Sequence, residues 1–357
     1  MRCWPSRLFV ALVACLPLVA CGGSPDTSTP GAGNNPGGGG ATGRLARVLS
    51  QGKVTCGVSG ELPGFSFVGQ DGKYSGLDVD ICRAVAAALF DNPDAVEFRN
   101  LNAKERFTAV QTGEVDILSR NTTYTTSRDT SVGLEFAPVV FYDGQGIMVK
   151  KAGGIKTLAD LKGKSICIQT GTTTEQNLTD QMRKRDIPYT PIVFEDVNTT
   201  FATYAEGRCD GVTADRSQLL SRRTTLPNPD DHLILDAVLS KEPLAPAVAE
   251  GDAAWSGVVR WAIYSLIEAE ELGITSQNVS QQVSSSDPAI KRFLGTEGDL
   301  GKGMGLPNDF AVRIIRHVGN YAEVYDRNLG PKTKLNLPRG QNNLWTKGGL
   351  LISPPFR

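Results

Sequence analysis

From Lys53 onward the chain alternates short apolar runs with amphipathic segments, and it runs through that alternation twice. "KVTCGV" is predicted as a strand, and "GLDVDICRAVAAALF" sets Ile81, Val85 and Leu89 four residues apart, on one face of a helix. "NAKERFTAVQTG" reads as a helix framed at both ends, with Asn102 as N-cap, Glu105 three residues on and Gly113 as C-cap. "EVDILS" then returns as a strand. The order restarts after "FYDGQGIMVKKAGG": a short helix over 157–161, strand "KSICIQ", a helix over 171–185, strand "YTPIVF", a helix over 198–206 and strand "RCDGVTA". Repeated strand–helix–strand order demands a mostly parallel sheet flanked by helices, so two α/β units are expected.

Two extended segments fit as crossings between these units, one near 142–149 and one over 239–249. The second contains Pro243 and Pro246, which suits a connection better than a central strand. The expected lobes are therefore discontinuous, lobe 1 from 44–145 with 246–357 and lobe 2 from 146–245. Trp255, Val259, Ala262 and Leu266 mark a long helix ending near Gly273, and Ile315, Val318, Ala322 and Tyr325 mark one more. Residues 276–307 are polar and rich in glycine, and the final stretch with Asn342, Asn343 and Trp345 has no clear period.

The N-terminus, "MRCWPSRLFVALVACLPLVAC", places Arg2 and Arg7 ahead of an apolar run that is too short to span a bilayer comfortably. Residues 1–20 are expected to be a signal peptide. The ending Leu18-Val19-Ala20-Cys21 resembles a bacterial lipoprotein box, which implies that Cys21 is lipidated; ordinary cleavage would leave it a free thiol. Residues 22–43, "GGSPDTSTPGAGNNPGGGGATG", have almost no apolar side chains to bury, so 21–43 is expected to be an anchored, flexible tether. Such a chain is exported and works close to a membrane surface.

Export changes the cysteine count. With Cys3, Cys15 and Cys21 set aside, Cys56, Cys82, Cys167 and Cys209 remain in an oxidising compartment, where four thiols allow three connectivities. They lack zinc-site spacing. Pairing Cys56 with Cys82 and Cys167 with Cys209 keeps each bridge inside one strand–helix layer; four free buried thiols are the alternative.

Formal net charge is -1, and losing Arg2 and Arg7 takes it to -3 with no basic run, so nucleic acid is not an expected partner. Two histidines, His232 and His317, give no metal cluster, and "GKGMGLP" lacks the strand and Lys-Ser/Thr pair of a phosphate loop. No metal or cofactor is called for.

Polar residues gather instead just after strands: "SRNTTYTTSRD" after "EVDIL", "TGTTTEQNL" after "KSICIQ", and "ADRSQ" after "RCDGV". In open α/β sheets ligands sit in the crevice at the carboxyl ends of strands. Arg128 offers a planar fork for a carboxylate, with Thr123 adding a hydroxyl donor. Gly171, Thr172, Thr173 and Thr174 open a helix whose free N–H groups favour an anion. Asp215 is placed to accept from an ammonium. A carboxylate site beside an ammonium site describes the backbone of a free amino acid. Arg120 is expected to brace the loop.

The motifs "GLDVDICRAVAAALF", "NAKERFTAVQTGEVDILSRNTTYTTSRD", "YDGQG", "ICIQTGTTTEQNL", "GRCDGVTADRSQL", "SKEPLAPAV", "GNYAEVYDRNLG" and "NNLWTKGGL" together resemble the type II periplasmic binding proteins of polar-amino-acid ABC importers. The general L-amino-acid-binding branch is the nearest in pattern, and the resemblance runs over roughly 48–357. It implies two lobes on two crossover hinge strands, closing on a free L-amino acid and presenting it to membrane permease subunits, with a monomer expected. By position, it implies a ligand-carboxylate arginine at Arg128, hydroxyl donors at Thr123, Thr172 and Thr173, the ammonium partner at Asp215, and an aromatic lid at Phe65. The alternative is an enzyme on this architecture acting on a small carboxylate substrate, dehydratase-like, for which Glu61 and Glu175 are the candidate acid or base.

Overall fold

The computed structural model describes residues 43–357; the expected signal peptide, Cys21 and the tether up to residue 42 lie outside the described residues. Helix α1 (Arg44–Gln51) precedes strand β1 (Val54–Val58) and a small meander of β2 (Glu61–Leu62), β3 (Ser66–Val68) and β4 (Tyr74–Ser75). Then come α2 (Leu77–Phe90), β5 (Val96–Asn100), α3 (Arg106–Thr112), β6 (Ile117–Leu118), α4 (Thr126–Thr130) and β7 (Leu134–Phe136). The long strand β8 (Phe141–Lys150) leads to β9 (Ser165–Gln169), α5 (Thr173–Lys184), β10 (Thr190–Phe194), α6 (Val197–Ala205), β11 (Gly211–Asp215), α7 (Arg216–Arg223) and β12 (His232–Ile234). Strands β13 (Lys241–Leu244) and β14 (Ala247–Ala249) return, followed by α8 (Ala253–Glu271), α9 (Val279–Gln282), α10 (Pro288–Phe293), α11 (Leu300–Gly303), α12 (Phe310–Val318) and α13 (Tyr321–Asn328).

Two five-stranded paths result, β5-β1-β6-β14-β7 and β10-β9-β11-β8-β12. In each, three strands are parallel, β5, β1 and β6 in one and β10, β9 and β11 in the other. The remaining strands join antiparallel, because the crossings β8 and β14 enter against the direction of the parallel core. β13 pairs antiparallel with β8 from Lys241↔Gly144 to Leu244↔Phe141, so the two crossings are one hydrogen-bonded ribbon at the hinge.

The alternating sequence explains most of this, with instructive departures. Helix α2 is buried on all faces rather than on one, since its alanines let it pass close against α8 and α12. The single helix expected around Ile315 to Tyr325 is two. Gly319 sits at φ 85, a left-handed conformation that favours glycine, and Asn320 restarts the chain with a full capping box to Glu323. Asn102 and Glu105 exchange the expected capping bonds, Glu105 N to Asn102 Oδ1 at 3.0 Å and Asn102 N to Glu105 Oε1 at 2.7 Å, but α3 itself begins only at Arg106. Residues 276–307 form three short helices, and Phe293 packs edge-on to Phe356 from the C-terminus. The final stretch, which has no period in the sequence, grips the backbone of the hinge strand. Asn342 accepts from Tyr142 N at 2.6 Å and donates to Tyr142 O at 3.1 Å.

Disulfides join Cys56 to Cys82 and Cys167 to Cys209, with Cα separations of 6.3 and 5.7 Å. Each closes a loop within one lobe, of 26 and 42 residues. Loop-closure entropy assigns them roughly 3.5 and 4 kcal/mol. Reduction is expected to lower the thermal midpoint by more than about 10 °C without changing ligand preference, as scanning calorimetry with and without dithiothreitol would measure. An unchanged midpoint would refute the stabilising role.

Candidate functional site

The loop after β6 carries the first charged group of the cleft. Thr125 caps α4 by accepting from Arg128 N at 3.3 Å, and this turns the Arg128 side chain inward, where Nη1 donates to Thr123 O at 2.8 Å. Arg128 is 7% exposed, and its guanidinium lies 5.0 Å from the centre of the Phe107 ring, which Arg106 also approaches at 4.7 Å. Burial pulls the Arg128 pKa below the usual arginine value, opposed by the negative fields of Asp215 and Glu242. Among the described residues no carboxylate comes within ion-pair distance of it. A buried guanidinium with unclaimed nitrogens is a strong anion site.

Facing it is an acidic group that the hinge ribbon assembles. Asp215 ends β11 opposite Gln145, and Glu242 on β13 pairs with Asp143 on β8, so the strand register alone brings three carboxylates together. Asp215 is buried and makes no cap to α7; Asp143 takes part of that role, accepting from Ser217 N at 3.2 Å. Burial first, then Asp143 and Glu242, push the Asp215 carboxyl well above the usual carboxylate range, while Arg106 and Arg128 pull it down. An ammonium placed beside it would relieve that repulsion.

Glu242 is 1% exposed and accepts from Thr123 Oγ1 at 2.6 Å, Thr173 Oγ1 at 2.9 Å and Asn177 Nδ2 at 2.7 Å, and also from the Ser240 hydroxyl. These partners come from the first lobe, from α5 of the second and from the hinge itself. Further contacts join the lobes, Lys104 to Glu195 at 2.8 Å and Arg222 Nη1 to Glu61 O at 2.9 Å. Hydrogen bonds to a charged group contribute about 1.5–3 kcal/mol each. Replacing Glu242 by alanine is therefore expected to loosen the ligand-free lobes, read as a larger radius of gyration by X-ray scattering; identical scattering curves would refute it.

The expected site residues fare differently. Thr123 and Thr173 meet at Glu242, on which both spend their hydroxyls, and Arg128 and Asp215, both buried, feel each other's charge. Thr172 is a correction: its Oγ1 caps α5, accepting from Glu175 N at 3.3 Å and donating to Gln169 O at 2.7 Å, so its side chain is committed to the helix start. Glu175 folds back to accept from Gly171 N and Thr170 Oγ1, and so occupies part of the helix end expected to hold an anion. Phe65 is a second correction. It is 1% exposed and packs edge-on to Phe141 at 5.2 Å, inside the core of the first lobe, so it supports the hinge strand rather than covering a ligand. Arg106, Asp143, Asn177 and Glu242 escape the sequence reading. A lone acid between lysine and proline in an otherwise apolar crossing is the one available signal for Glu242. His232 is structural, with Nδ1 2.8 Å from Tyr204 Oη and Nε2 3.2 Å from Pro227 O.

A profile of the family described as bacterial extracellular solute-binding proteins, family 3, matches residues 54–289. The chain belongs to this family. Its relatives within the family include the general L-amino acid-binding periplasmic protein AapJ of Rhizobium johnstonii, 50% identical over 88% of this chain and 92% of its own length. The glutamate/glutamine/aspartate/asparagine-binding protein BztA of Rhodobacter capsulatus is 47% identical over 88% of this chain and 93% of its own. Among solved structures, an ABC transporter periplasmic binding protein from Brucella ovis with glutathione bound superposes with a TM-score of 0.87 at 49% identity, covering 89% of this chain and all of that one. This family-3 protein thus has the two-lobed type II periplasmic-binding fold.

Its acidic group also sets a pH dependence. Burial pushes the Asp143 carboxyl up to about 6, with Glu242 adding to the rise. The folded state then holds a proton that the unfolded chain, with a pKa of about 3.9, releases. The group's stabilising contribution is complete below about pH 4 and declines as pH rises through about 6. Thermal midpoints of the ligand-free protein should show this decline between about pH 4 and 6, and Asp143→Asn should flatten it. An unaltered slope in the variant would assign the decline elsewhere.

Proposed function

We propose that this chain is the solute-binding component of an ABC importer, binding free L-amino acids over a broad range in the interlobe cleft and delivering them to membrane permease subunits. The carrying observation is the presence of a buried, unpaired Arg128 together with a buried Asp215 carboxyl that has no cationic side chain within ion-pair distance among the described residues, so that an ammonium is what would ionise it. These are complements for an α-carboxylate and an α-ammonium, which every free amino acid has and most other small carboxylates lack. The names of AapJ and BztA support the same ligand class. Each lobe holds part of the zwitterion, so closure is favoured by contacts available only when both engage. The protein is exported and acts as a monomer, held to the membrane by lipid on Cys21 with residues 22–43 as tether; among the described residues no helix is long and apolar enough to cross a membrane.

Isothermal titration calorimetry of residues 21–357, unfolded and refolded to remove carried-over ligand, against the twenty amino acids tests the reading. Heat from many of them is expected. Heat from none would refute it.

A further inference from the structure

Between β1 and α2 the chain leaves the first sheet to form the separate meander of β2, β3 and β4, and the hairpin of β2 and β3 touches the second lobe. Its base is fixed to the first lobe. Leu77 N donates to Gly64 O at 2.9 Å, Asp78 N to Phe65 O at 2.8 Å and Ser59 N to Ser66 Oγ at 3.0 Å, while Leu62 and Phe65 are buried. Gly64, at φ 84, lets the turn press close, since a Cβ there would lie 2.3 Å from Leu335 Cδ1 and 3.1 Å from Asn328 O. A hairpin fixed in this way does not swing as a lid; it moves with its lobe.

The second lobe receives this hairpin on α7. Ser221 Oγ donates to Pro63 O at 2.7 Å and Arg222 Nη1 to Glu61 O at 2.9 Å, and both residues are buried. Asn121 of the first lobe reaches the same helix, Nδ2 to Gln218 Oε1 at 3.4 Å. Arg222 is aimed by its own lobe: Nη2 donates to Asn198 Oδ1, and the guanidinium lies 5.1 Å from the centre of the Phe201 ring. Those two contacts persist whether the lobes meet or part, so the bonds to Glu61 O and Pro63 O are the ones that depend on closure. Helix α7 starts directly after Asp215, and the movement that carries Asp215 to an ammonium therefore carries Ser221 and Arg222 to the hairpin.

We propose that Ser221 and Arg222 are positioning residues outside the ligand site: they clasp the hairpin when the lobes meet, and so set how much of the protein stands closed, for every ligand alike. Neither bond uses Arg128, Asp215 or the hydroxyls around Glu242. The clasp differs in kind from the other pair that joins the lobes, Lys104 with Glu195, whose side chains are 67% and 65% exposed. An exposed pair is screened by water and salt and contributes little, whereas a buried hydrogen bond from a charged donor contributes more than a neutral one. The apparent dissociation constant scales inversely with the closed, binding-competent fraction, so weakening the clasp lowers all affinities by one factor and leaves their ranking unchanged.

The inference rests on the amino-acid reading above for its affinities, and a measurement without ligand keeps the two separable. On refolded residues 21–357, X-ray scattering without added amino acid is expected to give a larger radius of gyration for Arg222→Met than for the natural sequence. Calorimetry with L-alanine, L-glutamine and L-arginine is expected to show Arg222→Met binding all three roughly tenfold more weakly, and Ser221→Ala roughly fivefold. Lys104→Met is expected to change affinity less than about twofold. Identical scattering curves for Arg222→Met and the natural sequence would overturn the proposal. Losses that differ widely among the three amino acids would also overturn it, since they would place Arg222 in the ligand site, and so would a loss in Lys104→Met equal to that in Arg222→Met. Where Arg222→Met fails to fold, Ser221→Ala is read by the same criteria. Binding of none of the three by the natural sequence would overturn the amino-acid reading, and the scattering comparison would still decide the clasp.

Discussion

Replacing Arg128 by alanine is expected to abolish measurable amino-acid binding while the protein remains folded. The fork is buried, so a ligand carboxylate that reaches it is desolvated and depends on it for a counter-charge. Removing one partner of a buried charge pair costs about 2–5 kcal/mol, chiefly because the other is left unpaired. For a micromolar ligand that is a loss of roughly 30- to 4,000-fold, enough to pass out of calorimetric range. Within the protein itself Arg128 gives up one hydrogen bond, to Thr123 O, and its contact with Phe107. Those losses amount to about 1–2 kcal/mol, so circular dichroism should be unchanged and the thermal midpoint only slightly lower. Near-normal affinity would remove Arg128 from the site; a collapsed fold would make it structural.

Asp215→Asn should move stability and affinity in opposite directions. Asp215 stands with Asp143 and Glu242, and burial with their repulsion raises its pKa well above the unfolded value. As pH rises past about 4 the unfolded chain gains from ionising and the folded chain does not, so the carboxyl destabilises the empty protein at neutral pH. Asparagine keeps the shape and removes that penalty, and the ligand-free midpoint should rise. The ammonium of a bound amino acid loses its counter-charge at the same time, which should weaken binding by about 2–5 kcal/mol. Calorimetry and thermal denaturation on one preparation would check both signs. A stable variant with full affinity would leave Asp215 without a role in the ligand.

The parts of the fold that depend on local order are legible in the sequence. Strands and helices of both lobes follow from apolar spacing, and polar clusters after β6, β9 and β11 point to the cleft because a strand's carboxyl end is a fixed place in such sheets. What escapes depends on partners far apart in the chain. Glu242 lies 119 residues from Thr123 and 65 from Asn177, and nothing local to "SKEPL" announces them. Phe65 misleads because a core aromatic and a ligand lid have the same composition; only packing against Phe141 separates them. Thr172 misleads because a helix-opening threonine can serve its own backbone as readily as a ligand.

The place of β14 in its sheet carries a consequence for how the protein is made. β7 joins the first sheet only through β14, whose residues follow the whole of the second lobe in the chain. The five-stranded path of the second sheet, by contrast, is built from the continuous stretch that runs from β8 to β12, with only β13 added to β8 afterwards. As an exported chain emerges from its N-terminus, β1, β5 and β6 arrive first and must wait, the later lobe can be completed while they wait, and the earlier one closes last. The half of the molecule that begins the journey is the half that finishes it, and a chaperone or protease meeting the nascent protein outside the membrane would find its exposed surface there.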